Sequence, residues 1–383
     1  MFMTNKEIAL GHKKNRRRVI KMNKKGVYIH IPFCKSICTY CDFCKVLYKQ
    51  EWVSAYLKKL NNEIKDMYMD DEIDTIYIGG GTPSALKENE LQALFKIITR
   101  FNVSNNFEFT FECNLNDINE ELLKILSENR VNRLSIGIET FNPKIQELIN
   151  RKNDFEYSLN KIKLCREYGF ESINLDLIYG FKEQTLSDLK KDLKLFMKLN
   201  PDHISTYSLI LEDSTVLKYE KYENCDEELD LEMYNYICKF LKKNHFEHYE
   251  VSNFAKSNHK SKHNLKYWDN EEYYGFGLGA SGYIDGVRYN NTRSLKEYIE
   301  KDEFSQKELL TSQDIMDNEL MLGFRKMEGI NLNDFKNKFG IEMEVAYPIK
   351  PLLKNKDLVL KNNNIMINPE KIYIMNEILI KLI

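Results

Sequence analysis

The sequence alternates between strand-like and helical segments six times between residues 26 and 209. The strand-like runs are short and rich in Ile, Val, Phe and Tyr, and the stretches between them carry apolar residues at helical spacing, as from Glu51 to Met69. Six β/α units of this kind predict an α/β fold whose parallel sheet curls into a barrel or part of one. The predicted strands span residues 26–31, 73–78, 107–112, 133–138, 172–178 and 203–209.

The pattern changes after the sixth strand and divides the chain into four parts. We predict a partial (β/α)6 barrel over 26–215, followed by a barrel extension over 216–310 that contains a segment rich in aromatic residues and glycine. Residues 311–383 predict a small, mostly helical C-terminal domain with one hairpin near Leu358–Ile367. Residues 1–25 predict a basic, disordered tail.

Charge is unevenly distributed along the chain. Residues 1–25 hold nine of the 56 Lys and Arg and one of the 58 Asp and Glu, so the remainder carries 47 bases and 57 acids, a net charge of −10. An acidic body does not favour a general nucleic-acid-binding protein. No window approaches the roughly 18 consecutive apolar residues of a membrane-spanning helix, which excludes such a helix. The basic tail lacks the features of a secretory signal, so we expect a cytoplasmic protein.

Polar or special residues follow several of the predicted strands at their carboxyl ends. They are a cysteine cluster, the triplet Gly79–Gly81, and the carboxylates Glu112, Glu139 and Asp176. In barrels of parallel strands the chemistry lies at this edge, because the loops that follow the strands meet there. The sequence therefore predicts one functional site at the carboxyl end of the barrel.

Four of the eight cysteines, Cys34, Cys38, Cys41 and Cys44, lie within eleven residues. Without an export signal, such a cluster indicates a metal or redox site and not disulfides. The spacing Cys34-x-x-x-Cys38-x-x-Cys41 supplies three thiolates, which would leave one iron of a four-iron cluster open to another ligand. The alternatives are a zinc site and a cluster with Cys44 as the fourth ligand; we favour three ligands.

The run Gly79-Gly-Gly-Thr82 follows a predicted strand directly. Glycine allows backbone to approach a ligand closely. No Gly-Lys-Ser/Thr follows, so the run is not a P-loop. Alone it would indicate a tight turn, but next to the cysteine cluster it predicts a cradle for a small polar ligand.

These motifs resemble the radical S-adenosylmethionine (SAM) superfamily. Tyr28-Ile-His-Ile-Pro-Phe-Cys34, Gly79-Gly-Gly-Thr-Pro-Ser84 and Ile173-Asn-Leu-Asp-Leu-Ile-Tyr-Gly180 are similar to the oxygen-independent coproporphyrinogen III oxidase group. Tyr249-Glu-Val-Ser-Asn-Phe-Ala255 and His263-Asn-Leu-Lys-Tyr-Trp268 resemble its HemW branch, the heme chaperones. The resemblance extends from about Lys24 to about Asp334 and implies the radical SAM partial barrel.

The resemblance also implies roles for individual residues. Cys34, Cys38 and Cys41 would hold a [4Fe–4S] cluster whose open iron is chelated by SAM. The implied SAM contacts are Tyr28, Gly80 and Glu112, with further contacts from Tyr40, Gly81, Thr82, Glu139, Arg151, Asp176 and Ile210. Carboxylates suit an amino group or ribose hydroxyls, and an arginine suits a carboxylate.

The segment from His263 to Trp268 contains candidate contacts to heme. A histidine ring is a good axial ligand for heme iron, and the faces of Tyr267 and Trp268 suit a flat macrocycle. With the resemblance, His263 is the leading candidate for the heme ligand. Taken alone, the segment favours the alternative, a buried histidine held among core aromatic residues.

The chain departs from the family pattern at several positions. Glu139 stands where the family usually has glutamine, Phe181-Lys182 replaces the usual Leu-Pro, and Asn153 and Asp154 stand where a histidine is common. These departures leave the three cluster cysteines unchanged. They lie at or near the further SAM contacts named above, such as Glu139 and Arg151, and make those contacts differ from the family pattern.

The resemblance implies a heme chaperone that binds the cluster, SAM and heme and delivers heme to heme-requiring enzymes, including membrane respiratory proteins that it would meet at the membrane. An electron donor for the cluster is a further implied partner, and no catalytic residue is assigned.

One alternative is the oxidase of porphyrin biosynthesis, in which a 5′-deoxyadenosyl radical attacks the propionates of coproporphyrinogen III. The oxidase continues its motif as Cys-x-Cys, whereas Phe43 follows Cys41-Asp42 here. A radical SAM methyltransferase or a heme-cleaving enzyme is the third hypothesis for the function.

Overall fold

A computed structural model describes residues 24–383, so the predicted tail lies outside the described residues except for Lys24 and Lys25. The strands of this part are β1 (Lys25–Ile31), β2 (Phe33–Cys34), β3 (Val46–Leu47), β4 (Glu72–Gly80), β5 (Asn102–Asn114), β6 (Arg133–Glu139), β7 (Ser172–Tyr179), β8 (His203–Ser208), β9 (Glu247–Glu250), β10 (Asn253–Ala255), β11 (Tyr273–Phe276), β12 (Ser281–Ile284), β13 (Val287–Asn291), β14 (Ser305–Leu309), β15 (Ile330–Asn331), β16 (Leu358–Lys361) and β17 (Asn364–Ile367).

Twelve of these strands form one sheet in the order β14-β13-β12-β11-β1-β4-β5-β6-β7-β8-β10-β9. The six strands expected from the sequence are β1 and β4–β8, and each is parallel to its neighbours in that series. The expected parallel α/β sheet is therefore confirmed. It is open, because β14 and β9 form its two edges.

The helices are α1 (Gln50–Met67), α2 (Glu88–Ile98), α3 (Glu120–Glu128), α4 (Pro143–Leu148), α5 (Phe155–Glu167), α6 (Leu186–Lys198), α7 (Val216–Tyr219), α8 (Glu227–Lys243), α9 (Lys262–Trp268), α10 (Leu295–Glu300), α11 (Ser312–Gly323), α12 (Leu332–Phe339), α13 (Met343–Ala346), α14 (Ile349–Lys354) and α15 (Met375–Ile380). None of the helices in the described range is long and apolar enough to cross a membrane.

Alternation along the strands separates the apolar core from the polar interior. In β1, Val27, Ile29 and Ile31 are fully buried in the core cluster that also contains α1 residues, whereas Tyr28 and His30 lie on the opposite face of the strand. The same period of two places Tyr77 and Gly79 on one face of β4. The strand residues of the site therefore come from the face of the sheet opposite α1.

The predicted extension does not continue the barrel in one direction. Strands β10 and β9 lengthen the sheet beside β8, but β11 crosses to the other side and pairs in parallel with β1. Strands β12, β13 and β14 then follow as an antiparallel meander. Residues 216–310 thus flank the six central strands on both sides, which local sequence patterns could not indicate.

The C-terminal region, from Ser312 onward, contains the helices α11 to α15 and a small antiparallel sheet. The predicted hairpin is β16–β17, where Lys361 pairs with Asn364. Asn362 and Asn363 form its turn with positive φ angles of 51° and 65°, a conformation that asparagine tolerates in two-residue hairpin turns. Strand β15 adds a third strand that the mostly helical prediction did not contain.

Candidate functional site

The cysteine loop is closed at its base by a two-stranded parallel sheet. Phe33 pairs with Val46 and Cys34 with Leu47, and the backbone N–H of Tyr48 donates to the Cys34 carbonyl at 2.9 Å. Burial raises the pKa of the Cys34 thiol to about 11, and the nearby Cys41 and Cys38 thiols raise it further. The three cysteines of the predicted ligand set therefore lie close together on one loop.

Cys44 faces a different part of the protein. Its Sγ donates to the Arg293 carbonyl at 3.6 Å, and a Cβ placed on Gly279 would lie 3.2 Å from that sulfur. Among residues 24–383, no three His, Cys, Asp or Glu side chains converge tightly enough to hold a single metal ion. The contact with Arg293 sets Cys44 apart from the other three thiols.

The glycine run lies directly against the cysteine loop. The N–H of Gly81 donates to Ile31 at 2.8 Å, and the N–H of Thr82 donates to Phe33 at 3.0 Å. The Thr82 hydroxyl donates to Cys34 Sγ at 3.4 Å. Gly80 has a φ of +119°, and a Cβ there would lie 2.5 Å from the His30 ring. An added side chain at Gly80 would therefore collide with His30 before it reached any ligand.

His30 connects β1 to the cysteine loop. Its Nδ1 lies 2.9 Å from the Tyr28 hydroxyl and its Nε2 lies 2.6 Å from the Cys44 carbonyl. Burial lowers the pKa of His30 to about 4, so the ring is neutral at physiological pH. The ring cannot move aside without breaking these bonds.

We expect Gly80→Ala to destabilise the cluster-free protein by about 1–3 kcal/mol more than Gly169→Ala, because only Gly80 would add overpacking. Gly169 is the matched control, since it also has a positive φ, of 86°, but has no atom within 4 Å of an added Cβ among the described residues. Denaturant unfolding of both variants measures the difference. Equal losses would mean that His30 yields and that only the backbone conformation matters.

Three carboxylates, the buried Glu139 and the half-buried Glu112 and Asp176, share the carboxyl end of the sheet. Glu112 accepts a hydrogen bond from the Tyr77 hydroxyl at 2.7 Å and another from the Gly80 N–H at 3.0 Å. Burial raises the pKa of Glu112 to about 7; the Tyr77 bond opposes this shift and nearby Asp176 adds to it. Burial, followed by the neighbouring Glu139, raises the pKa of Asp176 to about 6. A cationic group bound here would relieve the repulsion between these acids.

Glu139 connects the cysteine loop to Arg151. It lies at a bulge in β6 with a φ of 61°, and its Oε1 accepts from the Tyr40 hydroxyl at 3.0 Å and from Arg151 Nη2 at 3.1 Å. Both side chains of the ion pair are largely buried. Among the residues that the structure describes, no partner satisfies Glu139 Oε2 or the Nε and Nη1 atoms of Arg151. A polar ligand that offers both a carboxylate and a donor group would satisfy all three atoms.

The predicted SAM contacts are thus brought together with one exception. Tyr28, Tyr40, the glycine run, Glu112, Glu139, Arg151 and Asp176 surround the cysteine loop through the contacts above. Ile210 follows β8, and 68% of its surface is exposed, so no contact fixes its role. Sequence reasoning missed His30 and Tyr77, although both occupy alternate strand positions beside predicted site residues.

His263 lies in α9 inside the protein and is 1% exposed. Its Nδ1 lies 2.8 Å from the Thr75 hydroxyl and its Nε2 lies 2.7 Å from the Tyr267 hydroxyl. Burial lowers the pKa of this ring to about 3. Both ring nitrogens are therefore hydrogen-bonded, as expected for a buried histidine held among core aromatic residues. The structure does not test heme ligation by His263, which would require one of these two bonds to break; the two bonds favour the alternative of a buried structural histidine.

The chain is similar to several known proteins. The Radical SAM superfamily model matches residues 28–196. The heme chaperone HemW of Lactococcus lactis is 39% identical over 330 residues, which cover 84% of this chain and 87% of that protein. The heme chaperone HemW of Bacillus subtilis is 38% identical, with 85% and 89% covered.

Among solved structures, the coproporphyrinogen III oxidase HemN of Escherichia coli, described as a radical SAM enzyme, superimposes with a TM-score of 0.82. The match covers 93% of this chain and 89% of that one at 22% identity, and at this identity it shows the fold alone. The sequence relatives are more similar and match most of their own length. The chain therefore belongs to the HemW family of the radical SAM superfamily.

Proposed function

We propose that this protein is a heme chaperone, which binds a [4Fe–4S] cluster, SAM and heme and delivers heme to heme-requiring enzymes. The observation that carries the proposal is the similarity, over more than four fifths of the chain, to two proteins named heme chaperones. The superfamily implies the cluster and SAM. The heme acceptors, among which membrane respiratory proteins are the expected class, belong to the proposal.

Cys34, Cys38 and Cys41 are the proposed cluster ligands. A four-iron cluster with an open iron supplies a coordination position for SAM and, when reduced, one electron. The unsatisfied buried atoms of Glu139 and Arg151 support the fit of SAM, which carries a carboxylate, an ammonium group and ribose hydroxyls. Arg151 binds the carboxylate in this proposal, while Glu112 and Glu139 accept bonds from the ammonium group or the hydroxyls.

The second candidate function is coproporphyrinogen oxidation, which the resemblance of the Cys34, Gly79–Ser84 and Ile173–Gly180 motifs to the oxidase group supports. The residue that separates the two candidates is Phe43, which replaces the second cysteine of the oxidase motif. Its side chain is 67% exposed on the cysteine loop and is therefore not a core substitution. We rank the chaperone first because the identity to HemW proteins is higher and Phe43 departs from the oxidase.

Anaerobically reconstituted protein should bind heme and should not decarboxylate coproporphyrinogen III when SAM and a reductant are supplied. Heme titration followed by the Soret band, together with chromatographic analysis of porphyrins, measures both properties on one preparation. The oxidase HemN, assayed in parallel, is the positive control for decarboxylation. Protoporphyrinogen formed over multiple turnovers would replace the chaperone proposal with the oxidase.

We expect His263→Ala to lower the free energy of unfolding by about 2–5 kcal/mol, through lost buried hydrogen bonds and a small cavity, and to leave the Soret band unchanged. Both nitrogens of this ring already bond to hydroxyl groups. His259, whose ring is partly exposed, is the control histidine. A shifted Soret band in the His263 variant alone would instead support its role as the heme ligand.

A further inference from the structure

The cysteine loop, between β2 and β3, is held by two segments that lie far away in the sequence. Both segments reach the same residue of the loop, Asp42, which directly follows Cys41. One segment follows β8 and contains Ser214, and the other follows β13 and contains Arg293. These two residues are 172 and 251 positions from Asp42. The loop is therefore attached to distant parts of the fold as well as to the strands beside it.

Arg293 contacts the loop through its side chain and its backbone. Its Nη2 donates to the Asp42 carbonyl at 2.6 Å and lies 3.8 Å from the Asp42 carboxylate. The Arg293 carbonyl accepts the bond from Cys44 Sγ at 3.6 Å. The arginine side chain is 60% exposed, so its ion pair with the carboxylate contributes little. The charge-assisted bond to the carbonyl is the stronger of the two side-chain contacts.

The segment after β8 holds the loop at two points. The Ser214 hydroxyl donates to Asp42 Oδ1, the same oxygen that faces Arg293. Three residues further along, the backbone N–H of Leu217 donates to the Thr39 carbonyl at 3.1 Å. Thr39 directly follows Cys38, so each of the two attachments lies next to a predicted cluster ligand.

Arg293 is presented to the loop by backbone that has little freedom to move. The N–H of Gly279, in the turn between β11 and β12, donates to the Thr292 carbonyl at 2.9 Å. Gly279 has a φ of +68°, and a Cβ there would lie 2.9 Å from the Cβ of Cys44. Only glycine allows this close approach of the turn to the cysteine loop. The segment that carries Arg293 is therefore packed against the loop on a second side.

We propose that Arg293 is a positioning residue for the [4Fe–4S] cluster. With Ser214 it holds Asp42, and these contacts, which we name the Asp42 clasp, keep Cys38 and Cys41 in the arrangement that the cluster needs. Surface loops open locally with low free energies, and a cluster is lost when its thiolates separate. The clasp thus sets how readily the cluster is released. This inference rests on the cluster of the proposed function and not on heme.

The test uses single substitutions at the two ends of the clasp. Arg293→Gln removes the charge, Arg293→Lys keeps a cation that can donate to the same carbonyl, and Ser214→Ala removes the hydroxyl. Arg288→Gln is the matched control on β13, because no hydrogen bond or ion pair joins its side chain to the cysteine loop in the described part of the chain. Ser187→Ala, at an exposed position of α6, is the control for the serine.

Two measurements separate positioning of the loop from general stability. Hydrogen exchange of the cluster-free chain, read by mass spectrometry, reports how often the loop opens. Anaerobic release of iron from the reconstituted protein to a chelator reports cluster retention. We expect Arg293→Gln to accelerate both by about tenfold, because a bond to a charged group is lost. Arg293→Lys should restore most of the native rates, and Ser214→Ala should give a smaller increase. The denaturant midpoint of Arg293→Gln should match that of Arg288→Gln.

Unchanged loop exchange in Arg293→Gln, an equal increase in Arg288→Gln, or no rescue by Arg293→Lys would each overturn the clasp. Faster iron release without faster exchange in the cluster-free chain would also overturn it, since the arginine would then act on the cluster by charge alone. A native chain that assembles no cluster would refute the proposed function and the clasp together. Native iron content with unchanged loop exchange in Arg293→Gln would refute only the clasp.

Discussion

Replacing Cys34, Cys38 or Cys41 with alanine should abolish the iron–sulfur absorption of the reconstituted protein, whereas Cys44→Ala should retain it. The first three thiols are neighbours on one loop, while Cys44 Sγ donates to the Arg293 carbonyl. A four-iron cluster keeps its site only while its thiolate ligands remain, so removal of one of three should remove the cluster altogether. Iron and sulfide content and the electron paramagnetic resonance of the reduced protein measure the outcome.

Cys225→Ala is the control for a cysteine remote from the loop. It should leave the cluster content unchanged. If Cys44→Ala lost the cluster while its circular dichroism stayed native, four cysteines would ligate the iron and no position would be open to SAM. That single result would remove the basis for SAM chelation as well.

The fold was largely predictable because its central strands are buried on an apolar face and are separated by long helices. Predicted bounds agree with β4, β6, β7 and β8 within about two residues at either end. Strand β5 begins at Asn102, five residues earlier than predicted, because Val103 pairs with Ile73 of β4. The polar run after Val103 has no strand pattern of its own, so only the neighbouring strand extends β5.

The site was predictable where its residues are close in sequence. Cys34, Cys38 and Cys41 lie on one loop, and their clustering alone predicts a metal or redox site. One hydrogen-bond partner of His263, Thr75, lies 188 positions away in the sequence. No local pattern could reveal that both of its ring nitrogens are used. An aromatic segment around a histidine is therefore weak evidence for a ligand until its hydrogen bonds are known.

Arg151→Met should nearly eliminate SAM binding and also destabilise the protein. Arg151 forms a largely buried ion pair with Glu139, and two of its nitrogens have no partner among the described residues. Loss of a buried, charge-assisted contact costs about 2–5 kcal/mol of binding, which corresponds to a reduction in SAM affinity of at least about 30-fold. Glu139 would be left as a buried carboxylate without its cation, which should lower the free energy of unfolding by about 3–5 kcal/mol. Calorimetry with SAM and denaturant unfolding measure the two effects.

Arg166→Met is the matched control, because Arg166 also forms an ion pair, with Asp202 at 2.6 Å, and takes no part in the predicted site. It should lose stability and keep its SAM affinity. Iron content must be compared across all variants, since SAM chelation depends on the cluster.

The double variant Arg151→Met, Glu139→Gln separates ligand binding from structural support. A glutamine is neutral and can still accept a bond from Tyr40, so the buried uncompensated charge disappears and most of the lost stability should return. SAM affinity should not return, because the cation that would meet the ligand carboxylate is still absent. Recovery of both properties together would show that Arg151 serves only to neutralise Glu139. Recovery of stability alone, with SAM affinity retained in the single variant Glu139→Gln, would assign the unsatisfied guanidinium nitrogens to the ligand. It would also explain why a buried arginine at this edge of the sheet contacts its carboxylate partner through only one nitrogen.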